Sequence, residues 1–179
     1  MFAKVLLLLG LSFAAVPKND KPESLVDWSS ERKLTWGDFQ GKPDPATGNA
    51  ALTSTSINID YSYNQKELRY TIRCQFDPAK SWGRVRNEHI LGHEQAHFDI
   101  AEVHARLLYK TLKDYKFKPA TVNEDIAKMY EAVMQRHHDM QSMYDTETDY
   151  SRNPKIQDVW EEKIGQTLAT LVTFADYRK

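Results

Sequence analysis

Cysteine is almost absent: Cys74 stands alone in 179 residues, which excludes an intramolecular disulfide and leaves no Cys-rich pattern for a structural zinc or an iron–sulfur cluster. An excess of either charge is missing too. Lys and Arg total 24 against 25 Asp and Glu, a formal net charge of −1, so no basic surplus exists to grip a phosphate backbone and nucleic acid is not an expected partner. Long apolar runs are lacking: the one stretch of note, Val5 to about Leu11, falls short of the roughly 20 residues that span a bilayer. Internal repeats and low-complexity tracts are absent as well. What remains is ordinary globular composition, 41% hydrophobic and 27% charged, too apolar for a disordered chain and too short for two ordinary domains.

The short apolar run has a specific reading. It follows Lys4 and precedes small residues, with Ser12 and Ala14 at the spacing of a cleavage site, so residues 1–15 read as a secretory signal peptide. The mature protein is then expected to be secreted or periplasmic, with no membrane association after cleavage. Residues 16–33 are polar and proline-containing and read as a flexible leader, with the folded domain over 34–179. In an oxidising compartment a lone exposed thiol is a liability, so Cys74 is expected to be buried.

Periodicity supplies the elements. Ile57, Ile59, Tyr61 and Tyr63 alternate on one parity, and Leu68, Tyr70, Ile72, Cys74 and Phe76 on the other, with Asn64 to Glu67 as a hairpin loop. From about Arg84 to Tyr115 the spacing becomes helical, with Ile90, Ala96, Ile100, Val103, Leu107 and Leu108 on an apolar side. Glu88, Gln95, Asp99, Glu102, Arg106 and Lys113 form a polar side. Thr121 and Glu124 form a capping-box pattern for a second helix, and Asn153-Pro154 opens a third, with Ile156, Val159 or Trp160, Ile164, Leu168, Leu171 and Val172 facing inward.

The chemistry is concentrated in His93-Glu94-Gln95-Ala96-His97. Residues four apart on a helix lie one turn above each other, so two imidazoles there can share one metal ion, while the adjacent glutamate is free to act as a base on water. Both histidines fall on the apolar side and point inward. His89 and His104 share that side and are assigned to core or supporting roles. A catalytic zinc needs a third protein ligand, and with no glycine after His97 to return the chain, it must come from a later segment. His137, His138, Asp145, Glu147 and Tyr150 are the candidates.

Three blocks, LTWGDFQGKPD with AALTSTSI, LGHEQAHFDIAEVHAR, and YDTETDYSRN followed by Gln157 and Trp160, resemble a bacterial family of secreted zinc-dependent proteases, first catalogued as a domain of unknown function. The resemblance spans about Leu34 to Ile164. It implies Zn2+ as cofactor, a peptide or protein as substrate, His93 and His97 as metal ligands and Glu94 as general base. In the family's later block, YDxxTxH, this chain carries Tyr150 where the histidine stands, so Tyr150 becomes a third ligand or a hydrogen-bond donor to the oxyanion, with Asp145 or Glu147 as replacements. The expected fold is α+β and zincin-like: a single domain with a small antiparallel sheet or hairpin packed on the His93–His97 helix, plus two further helices. Two rival readings are a non-catalytic exported binding protein with a degenerate metal site and a zinc amidase acting on non-protein amide bonds.

Overall fold

The alternating segments pair as their patterns require. In a computed structural model, which describes residues 3–4 and 25–177, β1 (Ala3–Lys4) and β2 (Val26–Asp27) flank a hairpin of β4 (Thr55–Tyr63) and β5 (Leu68–Phe76). The sheet order is β1-β4-β5-β2, and both edge strands run antiparallel to their neighbours. Ile57 lies opposite Cys74 and Ile59 opposite Ile72, so one face of the hairpin is apolar along its length. Cys74 is fully buried, as its parity demands. A smaller sheet joins β3 (Ala51–Leu52) to β6 (Trp82–Gly83). Gly83 is required by that approach, because a Cβ there would lie 2.5 Å from the Trp36 ring.

Three helices complete a small α+β domain: α1 (Glu88–Asp114), α2 (Val122–Glu147) and α3 (Pro154–Thr170). Helix α1 starts later than the periodicity suggested because Asn87 ends an extended segment and its side chain accepts from the Ile90 N–H, at 2.9 Å. Asn153 caps α3 in the same way, followed by the expected first-turn proline. The capping box at Thr121 does not form: its hydroxyl donates instead to Asp125 Oδ2, 2.7 Å away.

Helix α1 is central and packs on both sides. One core lies between it, the hairpin and α2, and includes Ile72, Phe76, Phe98, Ala101, Leu108 and Ile126. A second lies between α1, α3 and the end of α2, and comprises Ala96, Ile100, Val103, Tyr144, Trp160 and Ile164. This double coverage corrects the polar side assigned to α1, since Glu102 and Arg106 are buried beneath α3 and the C-terminal segment. On α3 it is Trp160 that faces inward, while Val159 is exposed, as is Val172 beyond the helix.

The export segment expected over residues 1–15 lies outside the described residues apart from Ala3–Lys4. The leader expected over 16–33 is described from Leu25, and from Val26 it is docked: β2 pairs with β5, and Trp28 is buried with its indole N–H donating to Asp99. Among the described residues no helix is long and apolar enough to cross a membrane.

Candidate metal centre

Helical spacing puts His93 directly one turn before His97, and their Nε2 atoms lie 3.2 Å apart. The last turn of α2 brings Asp145 to them, with Oδ1 3.2 Å from His93 Nε2 and 3.1 Å from His97 Nε2. The three atoms form a nearly equilateral triangle. Tetrahedral zinc with nitrogen and oxygen ligands at roughly 2.0–2.2 Å separates its ligand atoms by about 3.3 Å, so the triangle is the right size for one ion with a fourth position open. Among the described residues, this is the group of histidine, cysteine and carboxylate side chains that could hold a metal.

Packing fixes these groups from behind. The Tyr144 ring stacks on His93 at 4.6 Å between centroids, meets His97 edge-on at 5.1 Å, and itself rests against Trp160. Burial, then nearby Glu161, Glu94 and Asp145, hold the Tyr144 phenol far above its usual range, so it stays neutral. Gln141, one turn before Asp145, reaches both the ring and the backbone of His97.

Electrostatics separate the members. Burial lowers the pKa of His93, and the neighbouring His97 adds to this. Burial also opposes charge on His97, but Asp145 and Glu94 outweigh it and raise its pKa. Burial likewise opposes ionisation of Asp145, yet its bonds to the two histidines hold it well below the usual carboxylate range. Glu94 is 3% exposed, and its Oε2 has no hydrogen-bond partner. Burial raises the pKa of this carboxyl. A carboxyl made more basic by burial, with one oxygen unpartnered beside a metal-sized triangle, is suited to moving protons.

The triad opens into a cavity of about 410 Å³. One wall is the segment 49–55, which includes β3; Thr53 fastens it by donating to the Glu94 carbonyl at 3.2 Å. The opposite wall is the face of α2 bearing His137, Gln141 and Asp145.

The remaining sequence candidates stand outside the triad itself. Tyr150 lines the same cavity but is 52% exposed, in a turn where Asp149, Tyr150 and Ser151 all have positive φ, 50°, 52° and 70°. Such conformations are uncommon outside glycine. The Tyr150 N–H bonds the Asp145 carbonyl at 2.8 Å and His89 Nε2 donates to the Ser151 carbonyl at 2.6 Å, which gives His89 a supporting role. Glu147 accepts the Trp160 indole N–H at 2.8 Å, and His138 is exposed. His104 Nδ1 donates to the Ile100 carbonyl, and its ring packs against His137. Gln141 and the Tyr144 backing were not anticipated, although His137, Gln141 and Asp145 recur every four residues and so mark one face of α2.

Fold and site together define an α+β domain with a His/His/Asp triad able to hold a metal ion. The chain belongs to the family described as "Bacterial protein of unknown function (DUF922)", whose model matches residues 14–152. Comparisons with curated proteins and with solved structures give no match.

Proposed function

We propose that the protein is an exported, zincin-like, zinc-dependent hydrolase of peptide bonds, with His93, His97 and Asp145 as metal ligands and Glu94 as general base. The observation that carries this reading is Glu94: a buried carboxylate with an unengaged oxygen, adjacent to the ligand triangle on a cavity wall. When bound, zinc supplies Lewis acidity, polarising a carbonyl and acidifying water to near neutral pH. Glu94 takes the proton from the attacking water and delivers it to the departing nitrogen, a role favoured by its raised pKa. Tyr150 at the rim is a candidate hydrogen-bond donor to the developing oxyanion. The segment 49–55 offers backbone groups to an extended peptide or protein substrate. Two histidines and one carboxylate also suit Fe(II), and the free base next to them favours hydrolysis over redox chemistry.

Elemental analysis of the purified mature domain tests the reading first. About one zinc per chain, lost in His93→Ala, is expected. Glu94→Gln should retain that zinc and lose peptide hydrolysis, and persistent turnover in this variant would remove Glu94 from the mechanism. A zinc-loaded protein that cleaves non-peptide amides but no peptide would favour the amidase reading, and a parent that binds no metal would favour a binding protein.

A further inference from the structure

Gln141 makes three contacts with one amide. Its Oε1 is 2.5 Å from His97 Nδ1, and its Nε2 is 2.9 Å from the His97 backbone oxygen and 3.0 Å from His137 Nε2. A backbone carbonyl can only accept, so the amide nitrogen must face it, and the orientation of the whole group follows. The amide oxygen then faces His97 Nδ1 and demands a proton there. The second amide N–H faces His137 Nε2, which must be a bare acceptor, so the proton of His137 sits on Nδ1. Burial and the neighbouring His104 hold the pKa of His137 at about 4, leaving that ring neutral and able to accept at pH 7.

We propose that Gln141 is a positioning residue that takes the His97 carbonyl as its reference, fixes His97 with its proton on Nδ1, and so presents the Nε2 lone pair to the metal, while setting His137 as the Nδ1–H tautomer on the cavity wall. The metal half of this inference rests on the reading of His93, His97 and Asp145 as ligands. The proton positions do not. Supports of this kind orient a ligand and raise its basicity, and their loss typically weakens metal binding by about 10- to 100-fold.

The test combines zinc affinity, measured by competition with a chromophoric chelator, with two-bond 15N–1H NMR correlations that tell protonated from bare imidazole nitrogens. In the parent, His97 Nδ1 should be protonated with or without zinc, and His137 should carry its proton on Nδ1 alone. Gln141→Leu should weaken zinc binding by about 10- to 100-fold and shift the His97 Nδ1 proton away from its hydrogen-bonded position. Gln141→Glu still accepts that proton and should bind zinc more tightly than Gln141→Leu. A bare His97 Nδ1 in the parent overturns the proposal, as does a Gln141→Leu variant that binds zinc within about threefold of the parent, well inside the range such supports command. If the parent binds no zinc, the ligand reading fails, and the nitrogen signals of the metal-free protein still decide the role of Gln141.

Discussion

Replacing Arg106 by methionine removes the cation from a buried charge cluster on α1. Arg106 Nε donates to Glu102 Oε1 at 2.9 Å, and the two side chains are only 6% and 1% exposed. The same guanidinium donates to the Leu168 carbonyl at 2.8 Å and lies 5.2 Å over the Trp28 ring, while the Tyr177 hydroxyl donates to the Glu102 carboxylate. Methionine keeps much of the apolar stem but withdraws the Arg106 cation from a buried carboxylate, and breaking such a pair costs about 3–5 kcal/mol. For a domain of this size each kcal/mol corresponds to about 2–4 °C, so Tm should fall by on the order of 10 °C. Glu102→Gln/Arg106→Met removes both charges and should recover most of that loss. Urea unfolding followed by tryptophan fluorescence measures all members of the cycle. A loss below about 1 kcal/mol for Arg106→Met, the behaviour of an exposed pair, would refute the reasoning, as would additive single and double variants.

Asp145→Ala should abolish stoichiometric zinc while Tyr150→Phe retains it, by elemental analysis; the opposite pattern would return the third-ligand role to Tyr150. The depressed pKa values of His104 and of His137, the latter at about 4, mean that the unfolded chain binds more protons than the folded one below about pH 6.5. Their contribution to stability is whole above that pH and fades as the pH falls below it, down to about pH 4 for His137, by at most about 1.4 kcal/mol per pH unit for each histidine. In metal-free protein, denaturation at pH 7 and pH 5 should therefore show a smaller loss for His137→Gln than for the parent. Gly83→Ala forces a methyl to 2.5 Å from the Trp36 ring and should cost about 1–3 kcal/mol in urea unfolding, whereas Gly48→Ala, with open space around it, should stay within about 0.5 kcal/mol.

The parts of the fold written in short-range periodicity were legible. The hairpin from Thr55 to Phe76 follows from alternation, α1 from a repeat of 3.6 residues, and the start of α3 from Asn153-Pro154. Glu102 and Arg106 were misread for a physical reason. A helical wheel distinguishes two sides by polarity, and cannot show that a paired acid and base will be covered by another helix and by Tyr177. Trp28 gave a weaker signal, a single indole within a polar stretch, yet it anchors residues that looked loose. At the site, His93, Glu94 and His97 could be found because one helix carries their spacing. Asp145 belongs to a different helix, and choosing it over Tyr150 or Glu147 needed the approach of α2 to α1, which depends on the packing of Tyr144 against His93 and Trp160.

Asp99, Glu102 and Arg106 follow one another along α1, and between them they hold the segment before the hairpin and the segment after α3: Trp28 through Asp99 and Arg106, Tyr177 through Glu102. This sets the limits within which the domain can be trimmed. A fragment cut at Leu34 surrenders the β2 pairing and the Trp28 anchor, and one cut after α3 uncovers Glu102. A piece that keeps these described fastenings of α1 has to include Val26 to Tyr177, and fusion partners belong outside those two residues with a spacer on each side.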